Sequence, residues 1–148
     1  MREAMMDRRC PTLSGLRLLI IDDDDDFRAV VSRRLRQLGA DVREDNRIGP
    51  VRETISDWTP HVAVLDTHLP DGDGRLLGGL LLEELPELKL IFLTGDTQAL
   101  ATGSDPSDRV WHLLKPVSLE QLQRTIQQAS QGALPAAPGT LAPAIFGG

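Results

Sequence analysis

Two short apolar runs, each ending abruptly in aspartate, constrain this chain more than any other feature. Residues 16–21 read Leu-Arg-Leu-Leu-Ile-Ile and lead directly into five consecutive aspartates, Asp22 to Asp26. Residues 61–65 read His-Val-Ala-Val-Leu and deliver a single acid, Asp66. Runs this short, without polar alternation, suit strands covered on both faces. Such strands belong to a parallel sheet, whose right-handed crossovers lay helices on each side.

The rest of the chain supplies those crossovers. Phe27, Val30, Val31, Leu35 and Leu38 recur at helical spacing and are followed by Gly39, where a left-handed cap would fall. Asp24, Asp25 and Asp26 are read as residues that start this helix, because acids favour a helix amino terminus. A second strand is expected at 41–44, then a brief helix after Pro50 that stops by Trp58 and Thr59-Pro60. A third helix is expected at 75–85 after the turn-rich Leu-Pro-Asp-Gly-Asp-Gly of 69–74, with strands at 88–94 and 110–114. Only a short helix, at 97–102, fits between those two strands. Ser118 and Gln121 form a capping-box pattern ahead of a last helix bearing Leu119, Leu122, Ile126 and Ala129. The expected organisation is a flexible N-terminal segment at 1–15, one domain at 16–131 and an Ala/Pro/Gly-rich disordered tail at 132–148.

Composition narrows the function. Acids outnumber bases by 22 to 16, for a net charge of −6, which argues against direct DNA binding. Arg33, Arg34 and Arg36 fall in one helical pattern and read as a solvated face. No apolar run has the roughly 18 residues needed to cross a bilayer. The start of the chain is charged rather than signal-like, and the single cysteine, Cys10, suits a cytoplasmic location. The length leaves no room for an output domain beside a domain of this size, so signalling through another protein is expected.

In an open parallel sheet, ligands bind beyond the carboxyl ends of the strands. That edge would carry Asp22 and Asp23 after the first strand, Asp66 after the third, Thr94 after the fourth and Lys115 after the fifth. Three clustered carboxylates repel one another unless a cation joins them. Hard oxygen ligands favour Mg2+, and no Cys/His spacing suggests zinc. An aspartate beside such a metal and an ammonium can act as nucleophile toward phosphorus. Lys115 supplies the ammonium and Thr94 a hydroxyl for a phosphoryl oxygen.

These residues, in this order, resemble the response-regulator receiver family over about residues 16–129. The acid pair stands in Leu-Leu-Ile-Ile-Asp-Asp-Asp-Asp-Asp-Phe-Arg, the phosphoacceptor in Val-Leu-Asp-Thr-His-Leu-Pro-Asp-Gly-Asp-Gly, the hydroxyl in Phe-Leu-Thr-Gly and the lysine in Leu-Leu-Lys-Pro. The resemblance implies a flavodoxin-like receiver fold, a doubly wound five-stranded parallel α/β sheet in strand order 2-1-3-4-5. It implies a phosphoryl group on Asp66, taken from a sensor histidine kinase or histidine phosphotransfer protein and later hydrolysed. By the same resemblance, Mg2+ is held by Asp22, Asp23, Asp66 and the backbone carbonyl of His68, and the bond before Pro116 is cis. The chain is then a signalling domain acting on a downstream protein, and not an enzyme with a separate substrate. Thr94 and an aromatic on the fifth strand commonly act as the switch. His112 holds that aromatic position, as an altered relay or as a plain strand-edge histidine. The abbreviated 95–108 region leaves dimerisation open.

Two other readings compete. Asp22-x-Asp24 after a buried strand resembles haloacid-dehalogenase-type phosphatases, but that family needs a further acidic pair after its lysine and gives Asp66 no role. The second is a receiver-like scaffold that binds partners without phosphorylation, whose binding would be insensitive to Asp66→Asn.

Overall fold

Hydrogen bonding between parallel strands places all the buried runs in one sheet. A computed structural model describes residues 12–96 and 109–131. Strands β1 (Arg17–Ile21), β2 (Asp41–Asp45), β3 (Val62–Asp66), β4 (Lys89–Thr94) and β5 (Val110–Leu114) pair in parallel in the order β2-β1-β3-β4-β5. This is the doubly wound order expected from the sequence. Helices α1 (Asp25–Gln37), α2 (Val51–Thr54), α3 (Gly74–Glu84) and α4 (Leu119–Ser130) cover its two faces. The short helix expected at 97–102, and the segments 1–11 and 132–148, lie outside the described residues. No helix among the described residues is long and apolar enough to cross a membrane.

The two-residue side-chain period of the strands divides the core in two. Leu18, Ile20, Val62, Val64, Ile91 and Leu93 pack beneath α1 and α4, while Leu19, Ile21, Ala63, Leu65, Leu90 and Phe92 pack beneath α2 and α3. Each central strand is therefore apolar on both sides, the pattern visible in its sequence. Gly78 lets α3 sit close to the sheet, since a Cβ there would lie 2.5 Å from the Phe92 ring and 2.8 Å from Leu90.

Several local signals act as the sequence suggests. The Asp24 carboxylate caps α1 by accepting from the Phe27 N–H at 3.1 Å, and Ser118 caps α4 by accepting from the Gln121 N–H at 3.0 Å. Gly39 takes its left-handed turn at φ +99°.

Other features differ from expectation. Val30 is 58% exposed: at 100° per residue it stands roughly 95° from the centre of the stripe formed by Phe27, Val31, Leu35 and Leu38. Residues 12–15 pack with the domain. Leu13 is buried, its N–H donates to the Leu38 carbonyl at 2.8 Å, and the Thr12 hydroxyl donates to the same oxygen at 3.0 Å. The stretch 69–74 also holds part of a small antiparallel ladder, His68–Leu69 with Gly72–Asp73.

His61, at the entrance to β3, accepts the Arg17 N–H on Nδ1 at 2.9 Å. Burial, with Arg17 nearby, lowers its pKa below the usual 6.5. A folded pKa below the unfolded one means that protons favour the unfolded chain. The stabilising bond is complete above the unfolded value and lost as pH falls through the folded one. Thermal melts from roughly pH 7 down to pH 5 should therefore show a loss of stability that is smaller in His61→Asn. An equal loss in both proteins would assign the effect to other groups.

Candidate functional site

Strand register sets the site before any side chain is considered. Ile21 pairs with Leu65, Asp66 with Leu93 and Thr94 with Leu114. Asp22, Asp66, Thr94 and Lys115 thus fall at or one step beyond the ends of adjacent strands. The Lys115 N–H donates to the Thr94 carbonyl at 2.8 Å, extending the ladder into the loop, and the Lys115–Pro116 bond is cis.

One carboxylate oxygen from each of Asp22, Asp23 and Asp66 lies within 4.8 Å of the other two. Asp22 and Asp66 are buried, whereas Asp23 is exposed. Lys115 Nζ stands 3.1 Å from Asp66 Oδ2 and 3.6 Å from Asp22 Oδ2. The other oxygens face backbone: Asp66 Oδ1 accepts from the His68 N–H at 3.0 Å and Asp22 Oδ1 from the Asp24 N–H at 2.9 Å. Asp22 Oδ2 is buried without a hydrogen-bond partner.

The electrostatics follow from crowding. Burial pushes the Asp22 carboxyl above its usual pKa; the Asp24 N–H and Lys115 oppose this, while Asp66 and Asp23 reinforce it. Burial acts against the Lys115 ammonium, but its contacts with Asp66 and Asp22 outweigh that, and its pKa is raised. One ammonium faces three carboxylates, so the cluster is short of positive charge. The orphaned Asp22 oxygen and the all-oxygen donor set fit a hard divalent cation.

The remaining candidates differ in how close they come. Thr94 is buried, and its Oγ1 accepts from the Asp96 N–H at 3.0 Å, which leaves its own proton to donate. The imidazole of His68 is exposed, with Nδ1 3.3 Å from Thr67 Oγ1. His112 lies within β5, away from the edge, and stacks on Phe92 with ring centroids 5.4 Å apart. Asp24 is occupied as the α1 cap, which removes the second acid of the phosphatase-like Asp22-x-Asp24 reading.

Two residues not singled out from sequence help to build the site. Arg28 donates to the Asp22 carbonyl at 2.7 Å and contacts Asp25 at 2.9 Å and Glu44 at 3.1 Å; Arg36 holds the other Glu44 oxygen at 3.0 Å. This network fixes the loop carrying the acid pair. Gly74, the first residue of α3, donates its N–H to the Thr67 carbonyl at 2.9 Å, and a Cβ there would run into the carbonyl oxygen of Asp66. The sequence showed an arginine on an amphipathic helix and a glycine in a turn, but neither long-range contact.

The geometry agrees with comparisons to known proteins. The family model described as "Response regulator receiver domain" matches residues 18–127. The DNA-binding transcriptional regulator NtrC of Azospirillum brasilense is 25% identical over 127 residues, covering 84% of this chain and 26% of its own length. This chain thus spans about a quarter of that relative. The response regulator receiver protein CpdR of Brucella abortus is 28% identical, covering 76% of this chain and 94% of its own. Among solved structures, the BeF3-activated DrrB receiver domain, from Thermotoga maritima, superposes with a TM-score of 0.64 at 27% identity, over 77% of this chain and 96% of that one.

Two outcomes test this description. Asp22→Asn removes one buried charge yet keeps an oxygen for the Asp24 N–H, so without divalent metal at neutral pH it should raise stability by about 1 kcal/mol; a lower melting temperature would contradict the charge-crowding account. Gly74→Ala should cost about 1–3 kcal/mol through overpacking, whereas Gly79→Ala, with open space around its Cβ, should be neutral or stabilising. Equal melting temperatures for the two variants would show that the Gly74 contact relaxes without cost.

Proposed function

The chain belongs to the response regulator receiver domain family, and from that premise we propose that Asp66 accepts a phosphoryl group from a sensor histidine kinase or histidine phosphotransfer protein. The observation that carries this reading is Lys115 Nζ lying 3.1 Å from Asp66 Oδ2, beside a cluster of three carboxylates. Receiver domains bind Mg2+ at such an acidic pocket. Here Asp22, Asp23 and Asp66, with the main-chain carbonyl of His68, would hold it. When bound, Mg2+ offsets the negative charge of the carboxylates and the incoming phosphoryl group.

The chain's own residues carry the transfer. An Asp66 carboxylate oxygen forms a bond to phosphorus as the phosphorus–nitrogen bond of the donor's phosphohistidine breaks, and the donor imidazole keeps the electron pair. The Lys115 ammonium, held at the Asp66 carboxylate, balances charge on the transferred group. Thr94 donates its hydroxyl proton to a phosphoryl oxygen. Water later cleaves the acyl phosphate and restores Asp66. The domain takes part in its own phosphorylation and dephosphorylation and acts on no separate substrate.

Thr94 and His112 form the switch in this reading, linking the phosphorylated edge to the outer surface of β5. The Phe92–His112 stack supports it, because a ring already packed on β4 can respond to a movement of Thr94 on the same strand. The output passes to a downstream protein by contact, without direct DNA binding, in the cytoplasm.

Intact-protein mass after incubation with Mg2+ and a small acyl phosphate tests the assignment. One phosphate should be gained only with Mg2+, and none by Asp66→Asn. No gain by the native chain, under conditions that label a known receiver, would favour a scaffold. Labelling that survives Asp66→Asn but vanishes in Asp22→Asn would move the acceptor to the first strand.

A further inference from the structure

One carboxylate joins the loops that leave β2 and β3. Asp71 Oδ1 accepts from the Ile48 N–H at 2.8 Å and Oδ2 from the Gly49 N–H at 2.9 Å. These partners lie 23 and 22 positions away in the chain, so the bonds do not serve the turn in which Asp71 itself stands. The Ile48 N–H, with that of Gly49, holds the Asp71 carboxyl below its usual pKa, and the clasp is charged at neutral pH. Gly72 closes the same contact, since a Cβ there would lie 2.8 Å from Ile48 Cδ1. In the sheet, β1 lies between β2 and β3. The clasp therefore ties together the loops on either side of the strand that delivers Asp22.

The hairpin that carries Asp71 leads back to the site. Gly74 donates its N–H to the Thr67 carbonyl, which makes His68 and Asp73 a non-hydrogen-bonded pair of the small ladder. Both main-chain groups of His68 then point away from Asp73, and its N–H is the one that Asp66 Oδ1 accepts. Such a hairpin does not hold itself. Its strands have two residues each, and an isolated two-stranded hairpin is marginal in water. Two-residue hairpin turns favour positive φ, because turns of the opposite hand splay the strands. Pro70 and Asp71, the central residues of this turn, both have negative φ. The tip needs an outside hold, and Asp71 is at the tip.

We propose that Asp71 is a positioning residue for the divalent cation: by pinning the hairpin tip to Ile48 and Gly49, it keeps the His68 main chain beside Asp66 and the acid pair. This rests on the reading in which Mg2+ is held by Asp22, Asp23, Asp66 and the His68 carbonyl. Asp71 acts through the hairpin and not as a ligand. A carboxylate suits the task because two N–H groups converge on it; an amide offers one oxygen and turns its own N–H groups toward the second donor.

Calorimetric titration of Mg2+ into the full, unphosphorylated chain tests this, at about 0.15 M salt to screen long-range charge effects. Asp71→Ala should weaken Mg2+ binding at least about fivefold, less than the tenfold or more typical of losing a ligand's direct partner. Asp71→Asn, which keeps one bond, should fall between Asp71→Ala and the native chain. At saturating Mg2+, phosphorylation of both variants should stay within about twofold of native. Arg52→Ala opens the Arg52–Glu84 pair between α2 and α3 but leaves the clasp, and should bind Mg2+ as the native chain does. Native-like affinity in Asp71→Ala overturns the proposal. So do equal losses in Asp71→Ala and Asp71→Asn, which trace to lost charge, and equal losses in Asp71→Ala and Arg52→Ala, which trace to general loosening. A native chain that binds no Mg2+ and takes no phosphate overturns the proposed function and this inference with it. A native chain that takes phosphate, with the same Mg2+ dependence in Asp71→Ala, overturns this inference alone.

Discussion

Parallel pairing between strands buried on both faces is the constraint from which the rest of this molecule follows. β1, β3 and β4 can hide both rows of side chains only if helices cross over each face, and those crossovers send every strand in the same direction. All carboxyl ends then emerge along one edge. Polar residues distant in sequence become neighbours there without a contact of their own to bring them together. Asp22 and Asp66 are 44 positions apart in the chain, yet each follows a residue of the pair Ile21 and Leu65.

That edge concentrates negative charge on a fold whose stability depends on apolar burial. The domain tolerates it by dividing the work among cations. Lys115 approaches the carboxylates directly. Arg28 and Arg36 stand behind them, bracing the loop through Glu44 and the Asp22 carbonyl rather than neutralising the cluster itself. The acid loop is thus held rigid from one side and left short of positive charge on the other. Such crowding of buried carboxylates works against the stability of the domain that carries it, as strain at functional sites commonly does.

Much of this was legible in the sequence because the strongest signals also mark the candidate site. A run such as Leu-Leu-Ile-Ile followed by Asp22 announces a buried strand and its exit in the same few residues. Local caps were legible for the same reason: Asp24 and Ser118 act on N–H groups three residues away. What escaped depends on distance in sequence. Arg28 meeting Glu44, and Leu13 closing over the end of α1, arise only once the crossover is complete. The placement of Val30 was missed for a different reason: several spacings are compatible with one helix, and only the packed face decides which residue lies at its border.

The seat of α3 sets a rule for exchanging parts of this domain. Its first residue has no side chain and rests against the main chain of Asp66 and Thr67 at the end of β3, so backbone alone makes that junction. Farther along, Leu77, Gly78 and Leu81 seat the helix on the sheet, while Leu76, Gly79 and Leu80 face outward. A graft that keeps the corner glycine and this inner row could replace the whole outer face of α3 while the Asp66–Thr67 peptide keeps the same neighbour. The outer surface of α3 and the acidic edge are thereby separable parts of one domain.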